Sequence, residues 1–157
     1  MTKILLKQSD YDKILNFALS QFPNEACGLI AGKDEETANG WKRTIQEVYL
    51  LNNIDQSKNH FSLDPNEQLH ALKDMCAKGI KPLGNWHSHP QTPARPSGED
   101  IRLAFDTEAS YLILSLQDAE QPILCSYHIE GDTVETEELT VLSERSQLPW
   151  HTDRCER

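Results

Sequence analysis

Two histidines one residue apart, His87 and His89, restrict what this chain can build more than any other stretch. A loop stiffened by Pro90, Pro93 and Pro96 follows them, and then Ser97-Gly98-Glu99-Asp100. The residues before the pair (Ile80, Leu83, Gly84, Trp86) are apolar or small, so the histidines read as the end of a strand. Side chains at i and i+2 of a strand share a face. Two imidazoles side by side suit two neighbouring vertices of a tetrahedral metal site. The run Ile101, Leu103, Ala104, Phe105 reads as a helix from Ser97 to about Thr107. A short loop between strand and helix brings Asp100 back over the histidines. His87, His89 and Asp100 then leave a fourth position for water, which is how catalytic zinc, rather than structural zinc, is held.

At 157 residues the chain is expected to be one domain with its own core. No stretch is long enough to span a membrane, and the N-terminus carries no apolar segment with a cleavage site. The expectation is a soluble cytoplasmic protein with no membrane partner. Cys27, Cys76, Cys125 and Cys155 show no close pairing motif and are expected to be reduced thiols. A formal charge of -10 argues against nucleic acid, because phosphate neutralisation needs a basic stripe.

Lys3 to Lys7 reads as a strand, followed by a helix from an N-cap at Ser9 to about Gln21, with Ile14, Leu15, Phe17 and Ala18 at helical spacing. Glu25 to Gly32 is a buried strand opening on a carboxylate, costly to bury without a partner or a task. Residues 33–40 read as a hairpin loop, Trp41 to Leu51 as a long strand and Phe61 to Leu63 as a brief one. Asp64-Pro65-Asn66-Glu67 is a helix start, and Gly79 a stop. Tyr111 to Leu116, Ile123 to Ile129 and Val134 to Leu142 complete the strands. The expected fold is mixed α/β: a mostly antiparallel curved sheet of about six or seven strands with about three helices. The domain spans residues 1–142, with a polar tail over 143–157.

Each piece has an ordinary reading. His87 and His89 could be plain strand residues. Ser97 and Asp100 fit a capping box, which does not exclude a role for the serine at an oxyanion. Glu25 could be a solvated strand terminus. Cys27, on the Glu25 face of its strand, reads as core packing; Trp86 points to the other side from His87. His60, His70 and His128 have nothing at ligand spacing, and His151 and Cys155 read as incidental residues of the tail.

Taken together, Glu25, His87-x-His89, seven residues, Ser97, two residues and Asp100 resemble the signature of the JAMM (MPN+) metalloproteases. Gly28 and Pro90 fit as well, and the resemblance covers roughly positions 3–141. It implies one zinc per chain on His87, His89 and Asp100, Glu25 as general base and proton donor, and Ser97 stabilising the tetrahedral intermediate. The short chain, with Glu25 to Leu29, Asp64 to Leu69 and Tyr127 to Ile129, resembles the compact prokaryotic branch. Members of that branch process ubiquitin-like sulfur-carrier proteins, so the resemblance implies hydrolysis at the C-terminal Gly-Gly tail of such a partner. Two alternatives are a RadC-like protein of DNA-repair type, whose added helix-hairpin-helix region is missing here, and a non-catalytic MPN scaffold, which typically lacks ligands that this chain has.

Overall fold

The computed structural model describes residues 1–143 and 149–151. Its elements run β1 (Lys3–Lys7), α1 (Gln8–Gln21), β2 (Cys27–Thr37), β3 (Gly40–Leu51), α2 (Pro65–Lys78) and β4 (Lys81–His89). They continue with α3 (Gly98–Arg102), β5 (Ser110–Ser115), β6 (Ile123–Glu130), β7 (Thr133–Leu142) and β8 (Pro149–His151). The strands form one sheet in the order β1-β3-β2-β4-β5-β6-β7-β8, and β1 also pairs with β7, so seven strands close into a ring. β1–β3, β1–β7 and β4–β5 are parallel, and the other five pairings are antiparallel. The mixed α/β class, single sheet and three helices match the expectation.

Alternation along the strands sends apolar side chains to both faces. Leu112, Leu114 and Trp86 pack with Ile14 and Ala18 of α1. Each such leucine, fully withdrawn from water, stabilises the fold by about 1.5–3 kcal/mol. On the other face, Ala71 and Met75 of α2 cover Leu29 and Ala31. Ala94, Ala104 and Ala109 cover Tyr111, Ile113 and Tyr127. His87 lies opposite Cys27 of β2 and Ile113 of β5, so the histidines emerge on this second face, between its two apolar clusters. On the Trp86 side of the sheet close contact requires glycine: a Cβ at Gly28 would run into the Tyr49 carbonyl oxygen and the Trp86 indole nitrogen.

α2 begins and ends as its sequence indicates. Asp64 accepts from the Asn66 N–H, Pro65 opens the first turn, and Gly79 closes the helix at φ 67°. Several boundaries differ. α1 starts at Gln8 with no side-chain cap, so Ser9 lies inside its first turn. β2 and β3 run on to Thr37 and from Gly40, leaving a two-residue connection where a longer loop was expected. Phe61 to Leu63 makes only a single bridge, Asn53 to Leu63. The helix from Ser97 ends at Arg102, not near Thr107. Leu103 and Phe105 are 54% and 83% exposed, so that apolar run has no face to bury. An Asp106 carboxylate accepting from the Glu108 N–H turns the chain instead. The expected tail contributes β8, paired with β7. Residues 144–148 and 152–157, and hence Cys155, lie outside the described residues, as does the side chain of His151. Cys27 and Cys76 are free thiols, but Cys125 is disulfide-bonded, which corrects the expectation of four reduced cysteines.

Candidate metal centre

β4 ends at His89, and the proline loop returns the chain so that α3 begins above that end. His87 and His89 are 2% and 3% exposed. Their Nε2 atoms lie 3.1 Å apart, and the Asp100 Oδ2 lies 3.2 Å from the first and 3.0 Å from the second. Among the described residues, one group of possible metal ligands comes together, with one atom from each of His87, His89 and Asp100. Zinc bonds of 2.0–2.1 Å at tetrahedral angles put neighbouring ligand atoms about 3.3 Å apart, close to this triangle. Protons on both Nε2 atoms would face each other across the gap, whereas a cation satisfies all three groups at once. The residues fit a metal.

Their orientation is fixed from outside. A carbonyl only accepts, so His89 Nδ1, 2.8 Å from the Pro93 oxygen, carries a proton, which leaves Nε2 as the nitrogen available to an ion. Asp100 Oδ2 also accepts from the Ser97 N–H at 2.9 Å, while Ser97 Oγ accepts from the Asp100 N–H at 3.0 Å. This is the capping box read from the sequence, and it coexists with the triangle. Burial works to raise the Asp100 carboxyl, but the His87 and His89 contacts overcome it and hold that group well below the usual carboxylate range. Burial pulls His87 down. For His89 the Asp100 and Pro93 bonds outweigh burial, and its pKa rises.

Glu25 precedes β2 and is 4% exposed. Its N–H donates to the Ser57 carbonyl at 2.8 Å, and its carbonyl accepts from Asn53 Nδ2 at 3.1 Å. The next residue is pinned to the histidine strand: the Ala26 N–H donates to Ser88 Oγ, and the Ser88 N–H to the Ala26 carbonyl. Burial pushes the Glu25 carboxyl up to about 8; His89 opposes the shift, and the Asp100 and Glu99 charges add to it. The antiparallel register that sets Cys27 against His87 brings the Glu25 backbone level with His89. Glu25 Oε1 and His87 Nδ1 are buried with no hydrogen-bond partner among the described residues. Orphaned polar atoms of this kind mark a centre completed by something else.

Cys27 shares the Glu25 face, opposite His87, but stays outside the triangle. Burial pushes its thiol up to about 12, so it remains protonated. His60 and His128 bond to Asp55 and to the Thr107 carbonyl, away from the centre. Two participants escaped the sequence reading. Phe61 stacks on the His87 ring at 4.6 Å, and Asn53 gathers the Glu25, Ser57 and His60 carbonyls around one amide.

The model of prokaryotic homologs of the JAB domain matches residues 7–129. The CysO-cysteine peptidase of Mycobacterium tuberculosis is 32% identical over 122 residues, 78% of this chain and 80% of that protein. A solution structure of a protein from Desulfitobacterium hafniense superposes with a TM-score of 0.80 at 46% identity, covering 92% of this chain and 98% of its own. A JAB1/MPN domain protein from Archaeoglobus fulgidus aligns at 0.55 with 25% identity, over 88% of this chain and 97% of its own. Fold, converging triangle and family match agree, and the chain belongs to the compact prokaryotic branch of the JAB, or JAMM/MPN, family.

Proposed function

We propose that this protein is a zinc-dependent peptidase that hydrolyses the bond following the C-terminal Gly-Gly tail of a ubiquitin-like protein, in particular a sulfur carrier. The observation that carries this reading is the convergence of His87, His89 and Asp100 within 3.2 Å, with Glu25 buried just ahead of the neighbouring strand and its Oε1 without a hydrogen-bond partner among the described residues. When bound, the zinc supplies Lewis acidity and brings a coordinated water near neutral pKa.

The protein groups do the rest. Glu25, as the carboxylate, takes the proton of the attacking water and returns it to the leaving nitrogen; burial makes that carboxylate a stronger base than a solvated glutamate. The Ser97 oxygen is engaged as an acceptor by the Asp100 N–H, which leaves its own hydrogen to donate to the scissile carbonyl as charge builds. One such donor typically contributes about 3 kcal/mol. The name of the Mycobacterium tuberculosis relative, a CysO-cysteine peptidase, supports a carrier with an amino acid at its terminus. A Gly-Gly tail has no side chains to exclude and can pair its extended backbone with a sheet.

The test is incubation of zinc-loaded protein with a sulfur carrier bearing an amino acid or short peptide after Gly-Gly, followed by mass spectrometry. The reading expects the mass of a carrier ending at Gly-Gly. A carrier that stays intact while zinc is bound would overturn the substrate assignment.

A further inference from the structure

Three successive carbonyl oxygens of the proline loop are each gripped by a side chain from the strands beneath. Ser115 Oγ donates to the Thr92 carbonyl at 2.6 Å, His89 Nδ1 to the Pro93 carbonyl at 2.8 Å, and the Tyr127 hydroxyl to the Ala94 carbonyl. Ser115 and Tyr127 are both 4% exposed, whereas Thr92 and Pro93 lie in the open. Ser115 stands directly across from His89 in the β4–β5 register. Proline fixes its own φ but not its ψ, so the direction of the Pro93 carbonyl depends on what holds its neighbours.

We propose that Ser115 and Tyr127 are positioning residues for the metal centre. They clamp the carbonyls on either side of Pro93, so that the Pro93 oxygen stays aimed at His89 Nδ1 and the His89 ring keeps Nε2 turned to the ion. Neither residue touches the metal or the substrate. The inference rests on the metal reading of His87, His89 and Asp100. Outer partners of metal-bound histidines typically contribute 10–100-fold in affinity, and a group one bond further out is expected near the lower end, about tenfold.

The experiment compares zinc affinity of the full chain with Tyr127→Phe and Ser115→Ala, by competition with a chromophoric chelator. In each zinc-loaded protein, NMR follows exchange of the His89 Nδ1–H with water. Tyr111→Phe is the control, because it deletes a hydroxyl of the same apolar cluster that binds the Asp106 carbonyl and not the loop. The expected result is about tenfold weaker zinc binding and faster Nδ1–H exchange in Tyr127→Phe and Ser115→Ala, with neither change in Tyr111→Phe. Wild-type affinity and exchange in both variants overturns the clamp. So does an equal loss in Tyr111→Phe, which would mean general loosening of the cluster. A wild type that takes up no zinc overturns instead the metal reading beneath it.

Discussion

The two ends of β4 carry polar clusters of opposite character. At the Leu83 end, Arg43 is fully satisfied within the protein. Its Nε and Nη2 face the two Asp34 oxygens, Nη1 donates to the Leu83 carbonyl and Ser110 Oγ, and Nη2 also reaches the Glu108 carbonyl. Donors match acceptors and charge matches charge, so the cluster is complete as it stands and ties β2, β3, β4 and β5 together. At the His89 end the balance fails. Three ligand atoms point at one another, and Glu25 Oε1 and His87 Nδ1 find no hydrogen-bond partner among the described residues. A cluster that closes on itself stabilises a fold, whereas one left open in the same sheet is built to be completed by a ligand.

The contrast breaks most visibly at the ligands. Asp100→Ala and His89→Ala should lose zinc by well over the roughly 10–100-fold that an outer partner contributes, as read by chelator competition. Glu25→Gln should keep its zinc and lower kcat by about 10²–10⁴-fold, because a general base is removed and no ligand is. Full turnover in that variant would remove Glu25 from the base role.

Arg43→Met should do the reverse of Asp100→Ala. It leaves the largely buried Asp34 with Lys81 as its remaining counter-charge, at a cost of up to about 3 kcal/mol in denaturant unfolding, while zinc affinity stays within about twofold. A matching loss of zinc affinity would mean that the two ends are not independent.

The smallest effect is on pH dependence. Glu25 is raised from 4.5 to about 8, so its contribution to stability is intact below its unfolded value and lost as pH climbs towards 8. His89, also raised, acts in the same sense above its ordinary 6.5. Asp100, held low, contributes only above the ordinary carboxylate value and loses that contribution in acid. His87, lowered by burial, works the other way and offsets the Glu25 loss up to its ordinary 6.5, so the metal-free protein should weaken mainly between about pH 6.5 and about pH 8. Ligands bind zinc only when deprotonated, so the shift in unfolding midpoint on adding zinc should grow over the same interval. Glu25→Gln should flatten the metal-free slope, and an unchanged slope would place the titration elsewhere.

What could be read from the sequence was local. His87 and His89 share a face because strands repeat every two residues, and Ser97 with Asp100 forms a box because helix starts repeat every three. Asp64 and Gly79 bound α2 for the same kind of reason. The rest depends on register. Asn53 meets Glu25, Phe61 meets His87, and Tyr127 meets Ala94 only once strands distant in the chain are aligned. The stop of α3 at Arg102 was hidden because Leu103 and Phe105 look like a buried stripe but remain exposed. Closure of the sheet through β1 could not be read either, since nothing in Lys3–Lys7 names both of its neighbours.

X-ray absorption of the zinc-loaded wild type tests the central claim most directly. The account predicts one zinc per chain in a four-coordinate shell of two histidine nitrogens at about 2.0–2.1 Å and light oxygen ligands. A sulfur at about 2.3 Å, which would draw in Cys27, or a shell without histidine, would contradict it.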